Sequence, residues 1–199
     1  MVAGIILAAG RSTRMGAPKA LLTCPDGRTF VRTLADALRE GGVDAPCVVG
    51  RAEDDALQQE VDAIEAGPRF VVNEDADTGG QLSSLVAGLR KADRPGVRAI
   101  MVVPVDAPLV TADTVATLIA VFSATGAPIV RARYHGQNGH PVIFSRALFD
   151  ELRHADPAVG AKAVLRAHAS AIVNVDVTDP GVVADVDTPD DYRTLFSGS

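Results

Sequence analysis

The chain has 199 residues, of which 47% are hydrophobic and 22% are charged. This composition is typical of a folded globular protein and excludes a disordered one. The formal net charge of −6 argues against nucleic acid or an anionic membrane as a partner. An anionic substrate would therefore need a local cluster of Arg and Lys.

The cysteines and the apolar runs predict a cytoplasmic protein. Cys24 and Cys47 are the only cysteines, lack the spacing of a metal site, and are expected to be reduced. The first apolar run, residues 2–9, has no basic segment before it and is too short for a signal peptide. No run approaches the length of a membrane span. Without repeats or a linker, we expect one domain over residues 1–199.

Predicted strands and helices alternate along the chain. Hydrophobic periodicity predicts strands at residues 2–8, 46–50, 69–73, 97–105, 128–133, 141–144 and 171–175. It predicts helices at residues 29–40, 54–65, 83–92, 111–124, 145–154, 160–168 and 189–196. The alternation predicts an α/β fold, a three-layer α/β/α sandwich around a mostly parallel, Rossmann-like sheet with residues 97–105 at its centre.

Such sheets bind ligands beyond the carboxyl ends of their strands. That rule selects the loops that start at Ala8, Asn73 and Pro104, and the segment around Gly139. The unusual polar and glycine-rich stretches of the sequence lie in these loops.

The first of these loops has the features of a phosphate-binding turn. Gly10 and Gly16 let the backbone turn sharply and approach a ligand, and successive N–H groups in such a turn attract anions. Arg11, Arg14 and Lys19 add three cations within nine residues. Arg binds phosphate oxygens as a fork and Lys as a point charge, so the loop suits a triphosphate.

Other phosphate-binding motifs fit this loop poorly. Walker A requires four residues between its glycines and then Gly-Lys-Ser/Thr. Here five residues separate Gly10 from Gly16, and Ala20 follows Lys19. The dinucleotide fingerprint G-x-G-x-x-G is absent, which disfavours a dehydrogenase.

The run Leu7–Lys19 resembles the L-A-A-G-x-[GS]-x-R-[ML]-G-x-x-K signature of nucleotidyltransferases, and most of all the MobA-like molybdenum cofactor branch. The resemblance implies a sheet of the nucleotide-diphospho-sugar transferase type. It also implies transfer of a nucleotidyl group from a nucleoside triphosphate to a phosphorylated acceptor. Arg14 and Lys19 are the catalytic candidates. The nucleotide-binding candidates of this loop are Leu7, Ala8, Ala9, Gly10, Arg11, Arg14, Gly16 and Lys19.

Acidic residues in two distant segments predict a magnesium site. Asp106 follows the most apolar strand, where a carboxylate can hold Mg²⁺ together with phosphate oxygens and water; it is also a catalytic candidate. The segment from Asp187 resembles the family's closing motif D-x-T-P-[DE]-D, which implies that Asp187 joins Asp106 on the metal. Asp185 is equally well interpreted as a neighbour of the metal or as a turn residue. Asp190 and Asp191 are expected to stabilise a helix N-terminus.

The stretch after Asn73 allows two compatible interpretations. Ser83 or Ser84 could cap a helix, while the resemblance to a G-x-x-S-[SV]-L pattern implies contacts with the base and ribose. On that resemblance the nucleotide-binding candidates here are Gly79, Gly80 and Ser84. The pair Ala8-Ala9 resembles pyrimidine-using branches and favours CTP over GTP.

The segment 134–144 resembles the Y-x-G-x-x-G-H-P-V-x-[FL] segment of molybdopterin cytidylyltransferase-like proteins. Gly139 and His140 are therefore the acceptor-binding candidates, and molybdopterin is the expected acceptor. A later G-D-x-G-A-R motif of that branch is replaced by Asp156–Lys162, which leaves the acceptor open. The alternatives are a sugar or polyol phosphate as acceptor, or a nucleotide-binding protein without turnover.

Overall fold

The computed structural model describes residues 1–65 and 67–196. Its seven strands form one sheet in the order β3-β2-β1-β4-β6-β5-β7. They are β1 (Val2–Leu7), β2 (Asp44–Gly50), β3 (Arg69–Val72), β4 (Ala99–Pro104), β5 (Ile129–Tyr134), β6 (Gln137–Ser145) and β7 (Ile172–Asp176). Strand β6 runs antiparallel to β4 and β5, and the other pairs are parallel. The predicted α/β fold with a mostly parallel sheet is confirmed.

All seven predicted helices are present, several of them with shifted ends. They are α1 (Phe30–Glu40), α2 (Asp55–Asp62), α3 (Gly80–Ala92), α4 (Ala112–Thr125), α5 (Phe149–Arg153), α6 (Lys162–Ala167) and α7 (Pro189–Phe196). Within the described ranges, none of these helices is both long and apolar enough to span a bilayer.

Two apolar clusters lie on opposite faces of the sheet and make the three layers. On one face the core includes Leu34 of α1, Leu118 of α4 and Met101 of β4. On the other face it includes Leu85 of α3 and Ile100 of β4. All six residues of β4 are buried, so this strand occupies the predicted centre of the sheet.

The last helix begins at the predicted capping residues. The Thr188 hydroxyl accepts a hydrogen bond from the Asp191 amide at 3.2 Å, and the Asp191 carboxylate accepts one from the Thr188 amide at 2.7 Å. This reciprocal pair satisfies two N–H groups that the first turn leaves free. It fixes the chain direction directly after Asp187.

The predicted start of α3 is wrong. The helix begins at Gly80, with Gly79 before it, so neither Ser83 nor Ser84 is the N-cap. Both serines lie inside the helix because Asn73, at the end of β3, donates to their hydroxyls at 2.8 and 2.9 Å. These contacts tie the first turn of α3 to the end of the strand.

Candidate active site

A cleft of about 410 Å³ lies at the carboxyl ends of β1 and β4. Most of the predicted nucleotide and metal residues line it: Leu7, Ala8, Ala9, Gly10, Arg11, Arg14, Lys19, Gly80, Ser84, Asp106 and Asp187. Gly16 and Gly79 are not among its lining residues. Gly16 has φ +70°, the backbone conformation that favours glycine, and a Cβ on Gly79 would clash with Ser83.

Lys19 joins the two predicted metal ligands. Its Nζ lies 3.0 Å from Asp106 Oδ2 and 2.6 Å from Asp187 Oδ1. Arg14 Nη2 lies 3.1 Å from the same Asp187 oxygen. The closing segment of the chain is therefore folded against the glycine-rich loop, as the resemblance implies.

The charges of this cluster shift its pKa values. Burial by itself lowers the pKa of Lys19, but the hydrogen bond to Asp187 and the charge of Asp106 outweigh it, so the pKa is raised. The hydrogen bond from Lys19 lowers the pKa of Asp187 below its ordinary value. Both shifts favour the charged forms of Lys19 and Asp187.

The two carboxylates fit a shared divalent cation. Lys19 Nζ donates to Asp106 Oδ2 at 3.0 Å and to Asp187 Oδ1 at 2.6 Å. The distance between these two oxygens therefore cannot exceed the sum of the two hydrogen-bond lengths. In the described part of the chain, no group of three or more His, Cys, Asp or Glu side chains is arranged to hold a metal. Mg²⁺ commonly takes one or two carboxylates and completes its shell with phosphate oxygens and water, and a pair such as Asp106 and Asp187 fits that chemistry.

Asp185 lies close to this pair without lining the same cleft. Burial, and then the charges of Asp106 and Asp187, raise the pKa of Asp185. Asp185 lines a second cavity instead. Asp185 as a neighbour of the metal therefore stays a prediction.

A hydrogen bond within the glycine-rich loop joins its two ends. The Ser12 hydroxyl accepts a hydrogen bond from the Lys19 amide at 3.1 Å, which closes the base of the loop. A Cβ on Gly10 would meet no atom within 4 Å. The backbone at Gly10 therefore faces open space in the cleft, where a ligand can approach it.

Sequence reasoning missed Arg51, which lines the cleft. Its side chain is only 7% exposed, and it donates to the Ala9 carbonyl at 3.1 Å, to Glu53 at 2.8 Å and to Asp77. Asp77 also accepts two hydrogen bonds from Arg11, at 2.9 and 2.6 Å. Arg51 follows the last residue of β2, so the rule that selects loops at carboxyl ends could have identified it.

A second cavity, of about 510 Å³, adjoins the first. The two cavities share Leu7 and Gln81 in their linings. Both predicted acceptor residues, Gly139 and His140, line the second one. So do residues 157–162, most of the segment that departs from the family's later motif.

Burial favours the neutral form of His140. Burial lowers the pKa of its imidazole, and its Nδ1 is buried without a hydrogen-bond partner among the described residues. A neutral imidazole can donate one hydrogen bond but carries no charge. The role expected for His140 toward an acceptor phosphate is thus limited to hydrogen bonding.

The fold and the cleft are those of a nucleotide-binding α/β protein, and the comparison with family models is specific. The model described as the MobA-like NTP transferase domain matches residues 4–172. The chain belongs to this family of nucleotidyltransferases.

Three relatives whose names indicate different functions align with most of the chain. The purine catabolism protein PucB of Bacillus subtilis is 29% identical over 95% of this chain and 93% of its own length. The nicotine blue oxidoreductase of Paenarthrobacter nicotinovorans is 31% identical over 98% and 96%. The molybdenum cofactor guanylyltransferase of Rhizobium meliloti is 31% identical over 85% and 76%.

Two solved structures of one relative share the fold, and one of them contains manganese. The crystal structure of Rv0371c from Mycobacterium tuberculosis superposes with a TM-score of 0.82 and 31% identity over all of both chains. A second crystal structure of Rv0371c is a complex with manganese, with a TM-score of 0.76 and 32% identity over 100% and 99%.

Proposed function

We propose that the protein transfers a nucleoside monophosphate from a nucleoside triphosphate to molybdopterin, with Mg²⁺, and releases pyrophosphate. One observation carries the proposal: the cavity that Lys19, Asp106 and Asp187 line adjoins a second cavity, and the two share Leu7 and Gln81 in their linings. One cavity has a phosphate-binding loop and the other holds the predicted acceptor residues. Their border is the position where a donor and an acceptor would react.

The reaction needs positioning and charge rather than a protein base. A phosphate oxygen of the acceptor attacks the α-phosphorus in line, and the bond from that phosphorus to the bridging oxygen of pyrophosphate breaks. A phosphate monoester dianion is already nucleophilic, so no side chain has to remove a proton. Preorganised cations around the reacting phosphate then provide the catalysis.

The residues of the cleft have different roles in this reaction. The loop N–H groups and Arg14 bind the β- and γ-phosphates, and Lys19 meets the charge that develops on the α-phosphate. Asp106 and Asp187 would hold a magnesium ion, which would supply Lewis-acid stabilisation of negative charge when bound. Because Arg14 and Lys19 contact Asp187 in the structure, these cations exchange carboxylate contacts for phosphate contacts when the nucleotide binds.

The second cavity favours an acceptor with a ring system. Part of its wall is apolar, formed by Leu82, Leu85, Val102, Val142 and Phe144. A sugar or polyol phosphate would leave this wall without apolar contact, whereas the pterin of molybdopterin would cover it. The guanylyltransferase relative points to the same acceptor class.

The base of the nucleotide has two candidates. Ala8 and Ala9 line the cleft, and the resemblance of this pair to pyrimidine-using branches favours CTP. The relative named molybdenum cofactor guanylyltransferase favours GTP. A cytoplasmic location and one domain over residues 1–199 stay predictions.

A matrix of pyrophosphate-release assays tests the proposal. Each of the four triphosphates, with Mg²⁺, is combined with molybdopterin, a sugar phosphate or a polyol phosphate. We expect release only with molybdopterin and most strongly with CTP; release with GTP would change the assigned base alone. Asp106→Asn, which keeps the shape but removes the charge, is expected to abolish turnover.

Three results would contradict the proposal. Preference for a sugar or polyol phosphate would move the acceptor to another class. Triphosphate binding without pyrophosphate from any acceptor would indicate a binding protein. Full activity of Asp106→Asn would remove the carboxylate from the mechanism.

A further inference from the structure

Arg131 of β5 lines the second cavity and is held without a carboxylate. Its Nε and Nη2 both donate to the side-chain oxygen of Asn174 on β7, at 3.0 and 2.9 Å. No ion pair of Arg131 with Asp or Glu occurs among residues 1–65 and 67–196. Two of its N–H donors are thus used by a neutral amide, and Nη1 is left for another partner.

The same strand contains a direct comparison. Arg133 lies two residues further along β5, on the same face, and is opposite Asp176 of β7 as Arg131 is opposite Asn174. Arg133 makes two hydrogen bonds to the Asp176 carboxylate, both 2.7 Å. It does not line the second cavity. Of these two arginines, only the one at the cavity has no carboxylate partner among the described residues.

The charge of Arg131 is therefore uncompensated where it lies. The side chain is half-buried, and burial, followed by the charge of Arg133, lowers its pKa. Asp185 is the one carboxylate among the residues lining this cavity. Asp185 makes no ion pair with Arg131 in the described part of the chain.

The register of the sheet sets how far Arg131 lies from the reacting phosphates. Val102 of β4 pairs with Val142 of β6, which pairs with Arg131. These three side chains lie in one row across the cavity floor, so Arg131 is two strand spacings, about 10 Å, from β4. Asp106 follows β4, and a molecule that reaches both sites must extend across that floor.

We propose that Arg131 binds an oxygen hydrogen-bond acceptor on the ring end of the acceptor substrate, remote from the phosphate that reacts. This inference rests on the proposed function, because it takes the second cavity as the acceptor site. The planar guanidinium, oriented by Asn174, offers its free N–H groups to a carbonyl or anionic oxygen in its plane. Arg131 thus selects acceptors that are long enough and carry such an oxygen.

Equilibrium binding of molybdopterin tests the inference apart from turnover. Its affinity is measured by calorimetry, in the presence of a non-hydrolysable triphosphate, for the wild type, Arg131→Gln and Arg133→Gln. Loss of a hydrogen bond from a charged donor should weaken binding by Arg131→Gln by about 10- to 100-fold. Arg133→Gln, which breaks an ion pair outside the cavity, should bind like the wild type.

Two further measurements distinguish a specific contact between Arg131 and molybdopterin from a general effect of the substitution. Arg131→Lys keeps the charge but loses the planar guanidinium group, so it should also weaken molybdopterin binding. Circular dichroism checks that this variant is folded. Triphosphate affinity should be equal in all variants. Equal molybdopterin affinity in Arg131→Gln or Arg131→Lys and the wild type overturns the inference. Wild-type binding of molybdopterin without pyrophosphate release would overturn the proposed reaction and leave the role of Arg131 in binding standing.

Discussion

Replacing Lys19 by Met should impair turnover and strengthen binding of a metal ion in the absence of nucleotide. Met has nearly the same length but no charge. In the structure the Lys19 ammonium bridges Asp106 and Asp187 at 3.0 and 2.6 Å and is 11% exposed. A divalent cation on these carboxylates competes with that ammonium, so its removal takes away both a catalytic donor and a competitor.

The two effects have separate magnitudes. Loss of a preorganised donor at the reacting phosphate should lower kcat by a factor on the order of 10²–10³. A hydrogen bond between charged groups contributes about 1.5–3 kcal/mol. Because Asp187 is 38% exposed, the lower end applies, and it corresponds to about tenfold tighter metal binding.

Pyrophosphate release measures the first effect, and Mn²⁺ titration followed by electron paramagnetic resonance measures the second. Lys91→Met is the matched control, because Lys91 is exposed in the last turn of α3; it should change neither quantity. Near-normal turnover of Lys19→Met would refute the catalytic role. Unchanged or weaker Mn²⁺ binding would refute the competition between the ammonium and the metal.

Three further predictions concern the surroundings of the cleft. Arg51→Met removes the contacts to Ala9 and Asp77; it should raise the KM for the triphosphate more than it changes kcat, and equal KM values would show that these contacts do not position the loop. Burial raises the pKa of Cys47 to about 12, so this thiol should resist iodoacetamide at pH 8 in the native protein and react in urea, as peptide mapping can establish; rapid native labelling would contradict its burial. Thr188→Ala removes half of the reciprocal cap and should lower the free energy of unfolding by about 1 kcal/mol, measured by urea denaturation against Thr178→Ala; equal losses in both variants would refute the cap.

The order of strands and helices could be predicted because local patterns determine it. Continuous apolar runs mark β1 and β4 as buried strands, and the 3.6-residue spacing in α1 and α4 marks helices with one apolar face. The capping residues Thr188 and Asp191 were also predictable, since their contacts span only three residues. Such signals need no knowledge of the tertiary structure.

The start of α3 was not predictable in the same way. Ser83 and Ser84 are good capping residues by type, but Asn73 binds both hydroxyls from the end of another element. A partner ten residues away in the chain thus overrides the local preference. The helix begins at Gly80, where φ is +58°, a value that glycine adopts without steric cost.

Some residues of the candidate site could likewise be predicted from the sequence, and others could not. The glycine-rich loop and Asp106 could be found from their position after apolar strands, and Asp187 required the family resemblance. Arg131 was missed because its meaning depends on a partner from another strand, whereas Arg51 could have been found from its position directly after β2. Only the folded chain shows that Arg51 reaches Ala9 while Arg131 is opposite an amide.

The central claim is that a triphosphate lies along the loop Gly10–Lys19 while Asp106 and Asp187 share one divalent ion. A crystal structure with Mn²⁺ and a non-hydrolysable CTP or GTP analogue tests it most directly, because the anomalous signal of manganese locates the ion. We predict one manganese peak within bonding distance of both carboxylates and of a phosphate oxygen, with the remaining phosphates against the loop. A manganese peak away from these carboxylates, or phosphates bound in the second cavity, would contradict the account.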